Sequence, residues 1–236
     1  MVDRVDPSPD DHSTAFVSVG GYEVSIAPGL LDRAGEIAMA AAPAHRYAVI
    51  SDSNVAPLYA SRLMRTLAGS GETVPLFTFP AGEAHKTRET WGALTDQLLE
   101  SQLGRDSAIV ALGGGVVCDV AGFVAATFMR GIPVVHIPTT LLAMIDASIG
   151  GKTGIDTARG KNLVGAFHQP SAVIIDPEML GTLPLGELRS GMAEAIKHGA
   201  ISDAAYFEYL AVRTAELLAD GTGGRDVQAL NYVIEK

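Results

Sequence analysis

Apolar runs of strand length alternate with helix-period segments as far as about residue 185, and only helical segments follow. Such alternation constrains the fold strongly. Parallel strands need long crossovers, and helices are the usual ones. Two alternating runs, Phe16 to Val19 and Tyr22 to Ile26, flank Gly20-Gly21 and predict a β-hairpin. Residues 47–51, 74–79, 108–112 and 134–137 predict strands, with Pro75 marking an edge or a strand start. Residues 56–68, 87–103 and 119–130 predict helices. Leu58, Leu63 and Leu67 supply apolar positions of the first, and Trp91, Leu94, Leu98 and Leu99 one face of the second. The expectation is an α/β fold with a parallel sheet, helices on both faces, and ligands beyond the carboxyl ends of the strands.

Residues 186–198, 203–218 and 226–236 predict helices alone, so a domain boundary is expected near residue 185. This divides the chain into a disordered tail over 1–13, an α/β unit over 14–185 and the beginning of a helical unit over 186–236. The last helical segment carries no stop signal. Its apolar positions Val227, Leu230, Val233 and Ile234 call for a partner surface, so an incomplete copy of a longer protein is expected.

Composition excludes several classes of function. With 27 acids against 17 bases the net charge is −10, which argues against a nucleic-acid partner. No apolar run reaches membrane-spanning length, and the polar first residues lack the core of a signal peptide. The single cysteine, Cys118, allows no internal disulfide, which fits a cytoplasmic setting.

Chemistry concentrates in residues 146–162, where four glycines, Lys152, Lys161, Asn162, Asp146 and Asp156 fall close together. Glycine permits close backbone approach, and lysine suits phosphate or carboxylate, so the segment reads as the floor of an anion site. Gly150-Gly151-Lys152-Thr153 imitates the end of a nucleotide-triphosphate loop. Asp146 stands where that loop needs glycine, and 140–147 reads as helix, so the imitation fails. Gly113-Gly114-Gly115 lies at a strand-to-helix turn suited to a pyrophosphate, although Cys118 breaks the strict dinucleotide fingerprint. Cys118 itself reads as a packed residue. Glu194, Lys197 and His198 share a helix face; ion pairing is the usual meaning of that spacing, and a metal or substrate site is expected there only if the face turns toward the lysine-rich segment 146–162. No His-x-x-x-His pair exists, so no complete zinc site is evident.

Six segments, in order, resemble the 3-dehydroquinate synthase family of sugar-phosphate cyclases. They are 81–86 (AGEAHK), 113–119 (GGGVVCD), 137–142 (IPTTLL), 150–156 (GGKTGID), 160–170 (GKNLVGAFHQP) and 191–197 (GMAEAIK). The resemblance implies a Rossmann-like, NAD-binding unit over 14–185, then the start of a helical metal and substrate unit. It also implies one divalent metal, zinc or cobalt, and conversion of the sugar phosphate DAHP (3-deoxy-D-arabino-heptulosonate 7-phosphate) to 3-dehydroquinate and phosphate in the shikimate pathway. That route oxidises C5 transiently with NAD, eliminates phosphate, returns the hydride and closes the ring by an aldol step.

Residue roles follow from the resemblance alone. Asp52, Asn54, Gly82, Glu83, Lys86, Gly114, Gly115, Val116, Asp119, Thr139, Thr140, Lys152, Lys161 and Thr182 are implied cofactor contacts. Arg130, Asp146, Lys152, Asn162 and Lys197 are implied to line the substrate pocket, with Arg130 donated across a homodimer interface as in relatives. Glu194 matches a metal ligand, while the family's two metal-binding histidines belong to a later helical region that the chain lacks. The chain alone is therefore expected to bind NAD weakly and to lack turnover. Three alternatives stand beside this reading: a related cyclase, a metal-dependent polyol dehydrogenase, and a non-catalytic NAD-binding fragment.

Overall fold

The computed structural model of the protein describes residues 14–68, 73–218 and 226–236, so the expected tail over 1–13 lies outside the described residues. Seven strands form one sheet: β1 (Ala15–Val19), β2 (Tyr22–Ile26), β3 (Arg46–Asp52), β4 (Leu76–Phe79), β5 (Ser107–Gly113), β6 (Val134–Pro138) and β9 (Ala172–Ile175). Their order is β1-β2-β9-β6-β5-β3-β4. Only β1 and β2 pair antiparallel, as the hairpin around Gly20-Gly21, and every other neighbouring pair is parallel. The expected Rossmann-like α/β class is the one observed. β4 ends the sheet, which suits Pro75 just before it.

The central strand β5 is buried throughout. Ala108, Val110 and Leu112 enter one core and Ile109 and Ala111 the other, as the two-residue repeat of a strand requires. The second core is closed by α3 (Arg88–Glu100) and α4 (Gly115–Thr127), through Leu94, Leu98, Val120 and Val124. The first is closed by α1 (Ala34–Ala41) and α2 (Ser61–Leu67), and by the later helices α5 (Leu185–Ser202), α6 (Ala204–Leu217) and α7 (Val227–Glu235). Side-chain oxygens cap three starts: Thr87 accepts from the Thr90 N–H, Asp203 from Tyr206 and Asp226 from Ala229.

Four expectations are corrected. Residues 152–167, which are absent from the expected strands, form a second, two-stranded sheet, β7 (Lys152–Thr157) against β8 (Gly160–Phe167). Glycine-rich polar sequence concealed these strands, which mostly lack apolar alternation. Helix α4 starts at Gly115 and ends at Thr127, after which Met129 and Arg130 adopt left-handed φ of 50° and 67°. Leu58 and Leu99 are exposed, at 55% and 51%, because the buried stripes need fewer leucines than the pattern offers. Leu230, Val233 and Ile234 of α7 already have a partner surface, packing on the turns Pro177–Thr182 and Ala143–Ala147. The Tyr206 hydroxyl donates to Val233 O at 3.0 Å and ties α6 to α7.

Candidate functional site

Strand β5 runs through Gly113-Gly114 into α4, whose N-cap Gly114 offers no side-chain oxygen. The N-terminal amides of α4 therefore lack a side-chain cap and form a positive, donor-rich end. Beside them Thr139 N donates to Gly113 O at 3.0 Å, which holds the end of β6 against the turn. The Thr139 hydroxyl is buried and has no hydrogen-bond partner among the described residues. An orphaned buried hydroxyl costs free energy unless something meets it. Thr140 turns its hydroxyl to the Ala143 N–H at 3.2 Å and starts the π-type turn Ala143–Ala147. Cys118 faces the core, where burial pushes its thiol pKa well up, so it is a packed residue as expected.

The turn Ala143–Ala147 carries Asp146 toward α5. Gly191 permits the approach: a Cβ there would stand 2.6 Å from Leu141 Cβ and 2.7 Å from Leu142 N. One turn further along α5, Glu194 joins Asp146 and His198, with ligand atoms of all three within 4.8 Å of one another. His198 Nε2 lies 3.2 Å from Glu194 Oε1. Lys197 also pairs with Glu194, and that hydrogen bond is the chief reason its carboxyl pKa is lowered. The same bond raises the Lys197 pKa. Lys152 Nζ stands 3.6 Å from Asp146 Oδ1. Two carboxylates and an imidazole, flanked by two ammonium groups, can hold a divalent cation and an anion side by side.

The β7–β8 hairpin closes this region. Asp146, Lys152, Asn162 and Asp119 line a cavity of about 470 Å³, with Leu163 and Phe167 on its apolar side. Lys86, from the segment after β4, is only 3% exposed. Its ammonium pairs with Asp119 Oδ2 at 2.5 Å and with Asn162 Oδ1. Burial pushes the Asp119 carboxyl pKa up, and Lys86 opposes that shift. Lys161 reaches Glu83 Oε1 at 2.9 Å, which raises the lysine's pKa. Gly82 leads into the turn Glu83–His85 with a φ of 106°.

The remaining residues lie elsewhere. Asp52 ends β3 and accepts from the N–H groups of Asn54 and Val55, at 2.8 and 2.9 Å. Tyr59, in the helical turn Ala56–Ala60 that follows, meets Thr182 Oγ1 at 2.6 Å and ties Thr182 to that turn. Gly115 and Val116 open α4. Arg130 is not with the others. It follows the C-terminal end of α4, about 20 Å of helix from Gly115, and precedes β6 at the opposite edge of the sheet. Asp156 entered the sequence reading only as part of the anion floor, and its carboxylate accepts from Asn162 N at 2.8 Å. The Glu194 face does turn toward Asp146, the condition under which a metal or substrate site is expected there. The i,i+4 spacing of Glu194 and His198 was the available signal.

The 3-dehydroquinate synthase N-terminal family model matches residues 76–190. The chain is 49% identical over 199 residues to the 3-dehydroquinate synthase of Symbiobacterium thermophilum, covering 84% of this chain and 56% of that protein. It is 50% identical over 210 residues to the enzyme of the same name from Caulobacter vibrioides, covering 89% and 55%. Over its matched length the chain belongs to the 3-dehydroquinate synthase family. It spans about half the length of these family members. Among solved structures it resembles a 2-epi-5-epi-valiolone synthase from Streptomyces hygroscopicus with NAD+ and Zn2+ bound. The TM-score is 0.80 at 32% identity, over 98% of this chain and 61% of that one. A 2-deoxy-scyllo-inosose synthase complexed with carbaglucose-6-phosphate, NAD+ and Co2+ matches with a TM-score of 0.73 at 25% identity, over 94% and 60%.

Proposed function

We propose that this chain is the dinucleotide-binding portion of a 3-dehydroquinate synthase, an NAD- and metal-dependent lyase that converts DAHP to 3-dehydroquinate and phosphate. The observation that carries the reading is one sheet edge. There Thr139, whose hydroxyl is orphaned, lies beside the turn into the uncapped start of α4, joined to it by the Thr139 N–H to Gly113 O bond. Both ask for an acceptor, and a dinucleotide phosphate or ribose is one. Asp146, Glu194 and His198 fit a divalent ion in donor type and spacing. NAD supplies reversible hydride acceptance, and zinc or cobalt supplies Lewis acidity.

The chain's own residues have separable tasks under this reading. Gly114, Gly115 and Val116 present amides to phosphate, Thr139 and Thr140 orient the cofactor, and Asp52, Asn54 and Thr182 serve its adenosine end. Glu83 and Lys161 flank its sugar hydroxyls. Lys152, Asn162 and Lys197 bind and orient the anionic groups of the sugar phosphate. A cytoplasmic setting and a homodimer go with the reading, and Arg130, far from its own pocket, would enter the neighbour's.

A related cyclase is the nearest rival, favoured by the 0.80 TM-score to the valiolone synthase. Identity of 49–50% to synthases against 32% to that cyclase decides for the synthase. Calorimetric titration with NAD, with and without Gly114→Val, tests the cofactor site. Weak saturable binding that the valine abolishes is expected, and no binding by the wild type overturns the reading. Phosphate release from DAHP without net NADH is the signature of the complete activity. Net NADH from a polyol marks a dehydrogenase instead.

A further inference from the structure

A buried ammonium must be paired, because leaving it unmatched in a low-dielectric setting is costly. Lys86 meets that need with partners from two separate elements: Asp119 of α4 and Asn162 of β8. Its backbone takes hold of the other hairpin strand, since the Asp156 N–H of β7 donates to Lys86 O at 2.7 Å. Asp156 then reaches across the hairpin to Asn162 N, and this closes a ring of contacts around one lysine. Asn162 sits there with a left-handed φ of 57°, a conformation few residues other than glycine tolerate as well as asparagine. A neighbouring tie, Lys161 to Glu83, fastens the same hairpin to the same segment. Lys86 does not itself line the 470 Å³ cavity, whereas Asp119, Asn162 and Lys152 do.

We propose that Lys86 is a positioning residue: it clasps both strands of the β7–β8 hairpin to α4, holding Lys152 and Asn162 in the pocket with Asp119 and Asp146. This departs from the cofactor contact implied by resemblance. The consequence for ligands rests on the reading of the pocket given above, but the clasp itself does not.

Amide hydrogen exchange on Lys86→Met tests the clasp. A hydrogen bond to a charged group is strong enough that amides of 152–167 should exchange about tenfold faster or more, while those of β5 keep wild-type rates. Wild-type exchange in the hairpin overturns the proposal. If Lys86→Met loses protection in β5 as well, Asn162→Gly decides, since it removes the side-chain contact and no charge while tolerating the left-handed φ. Faster hairpin exchange in that variant supports the clasp, and unchanged exchange sinks it. Titration with the sugar phosphate DAHP adds a readout that a merely structural lysine would not move. A residue acting through Asn162 gives non-additive losses of affinity in Lys86→Met, Asn162→Gly and the double variant. Additive losses mark a direct ligand contact and overturn the proposal. Should the wild type not bind DAHP, the reading of the pocket fails while the exchange measurement still decides on Lys86.

Discussion

Strand β5 and the β7–β8 hairpin hold their places by different means. β5 is buried over its whole length and feeds two cores from alternate residues. β8 has exposed or half-buried residues only, with Leu163 and Phe167 at 63% and 88% exposure. Burying a large aliphatic side chain is worth roughly 1.5–3 kcal/mol, and β5 gains such terms from many neighbours at once. The hairpin enters the second core mainly through Ile155 of β7, and β8 adds polar ties made by residues as far apart as Lys86, Asp119 and Asn162. The strand that carries Lys161 and Asn162 therefore has less apolar support than β5. Binding sites tend to be drawn from such less stable parts of a fold.

Ile109→Ala should break the well-supported side of this comparison. Ile109 is fully buried, and truncating such a residue costs roughly 2–5 kcal/mol. Urea unfolding should show a lower midpoint with the slope retained, since the loss is global.

The seam between the two regions should respond to pH. His136 of β6 is buried near Thr153 of the hairpin, with its Nδ1 unpartnered, and burial lowers its pKa to about 4, assisted by His168. Folding therefore favours the neutral ring. That contribution is fully present above the unfolded value near 6.5 and is lost as pH falls toward about 4. A shift of that size is worth roughly 3 kcal/mol. His136→Gln should flatten the difference in melting temperature between pH 7 and pH 4 relative to the wild type. An equal slope in both proteins contradicts this.

Gly165→Ala isolates the hairpin. A Cβ at Gly165 would stand 2.0 Å from Thr153 O and 2.8 Å from Gly154 Cα, both backbone, so neither side chain nor rotamer can relieve it. A cost of roughly 1–3 kcal/mol is expected, seen as faster amide exchange in 152–167 with β5 protected. The smallest effect belongs to Phe167→Ser. At such exposure the change in unfolding free energy should stay within about 0.5 kcal/mol, and a larger loss would mean the hairpin has apolar support not apparent in its packing.

The same contrast explains what the sequence disclosed. Residues 108–112 and 134–137 read as strands because burial on both faces writes an unbroken apolar run. Residues 186–198, 203–218 and 226–236 read as helices from their period. Residues 152–167 concealed two strands, because that hairpin is fixed by contacts from 86 and 119 that no local window contains. Likewise, Glu194 and His198 announced a shared helix face, but Asp146 joins them only because Gly191 lets α5 close on the turn before it. The glycine turn at 113–115 was legible as a strand-to-helix turn. The orphaned hydroxyl of Thr139 beside it was not, since burial without a partner is a property of the fold.

Amide exchange measured with and without saturating NAD addresses the proposed dinucleotide site directly. The account predicts slower exchange in 113–119 and 139–140, with the β1–β2 hairpin unaffected. Unchanged exchange at that turn, or protection confined to another edge of the sheet, would contradict it.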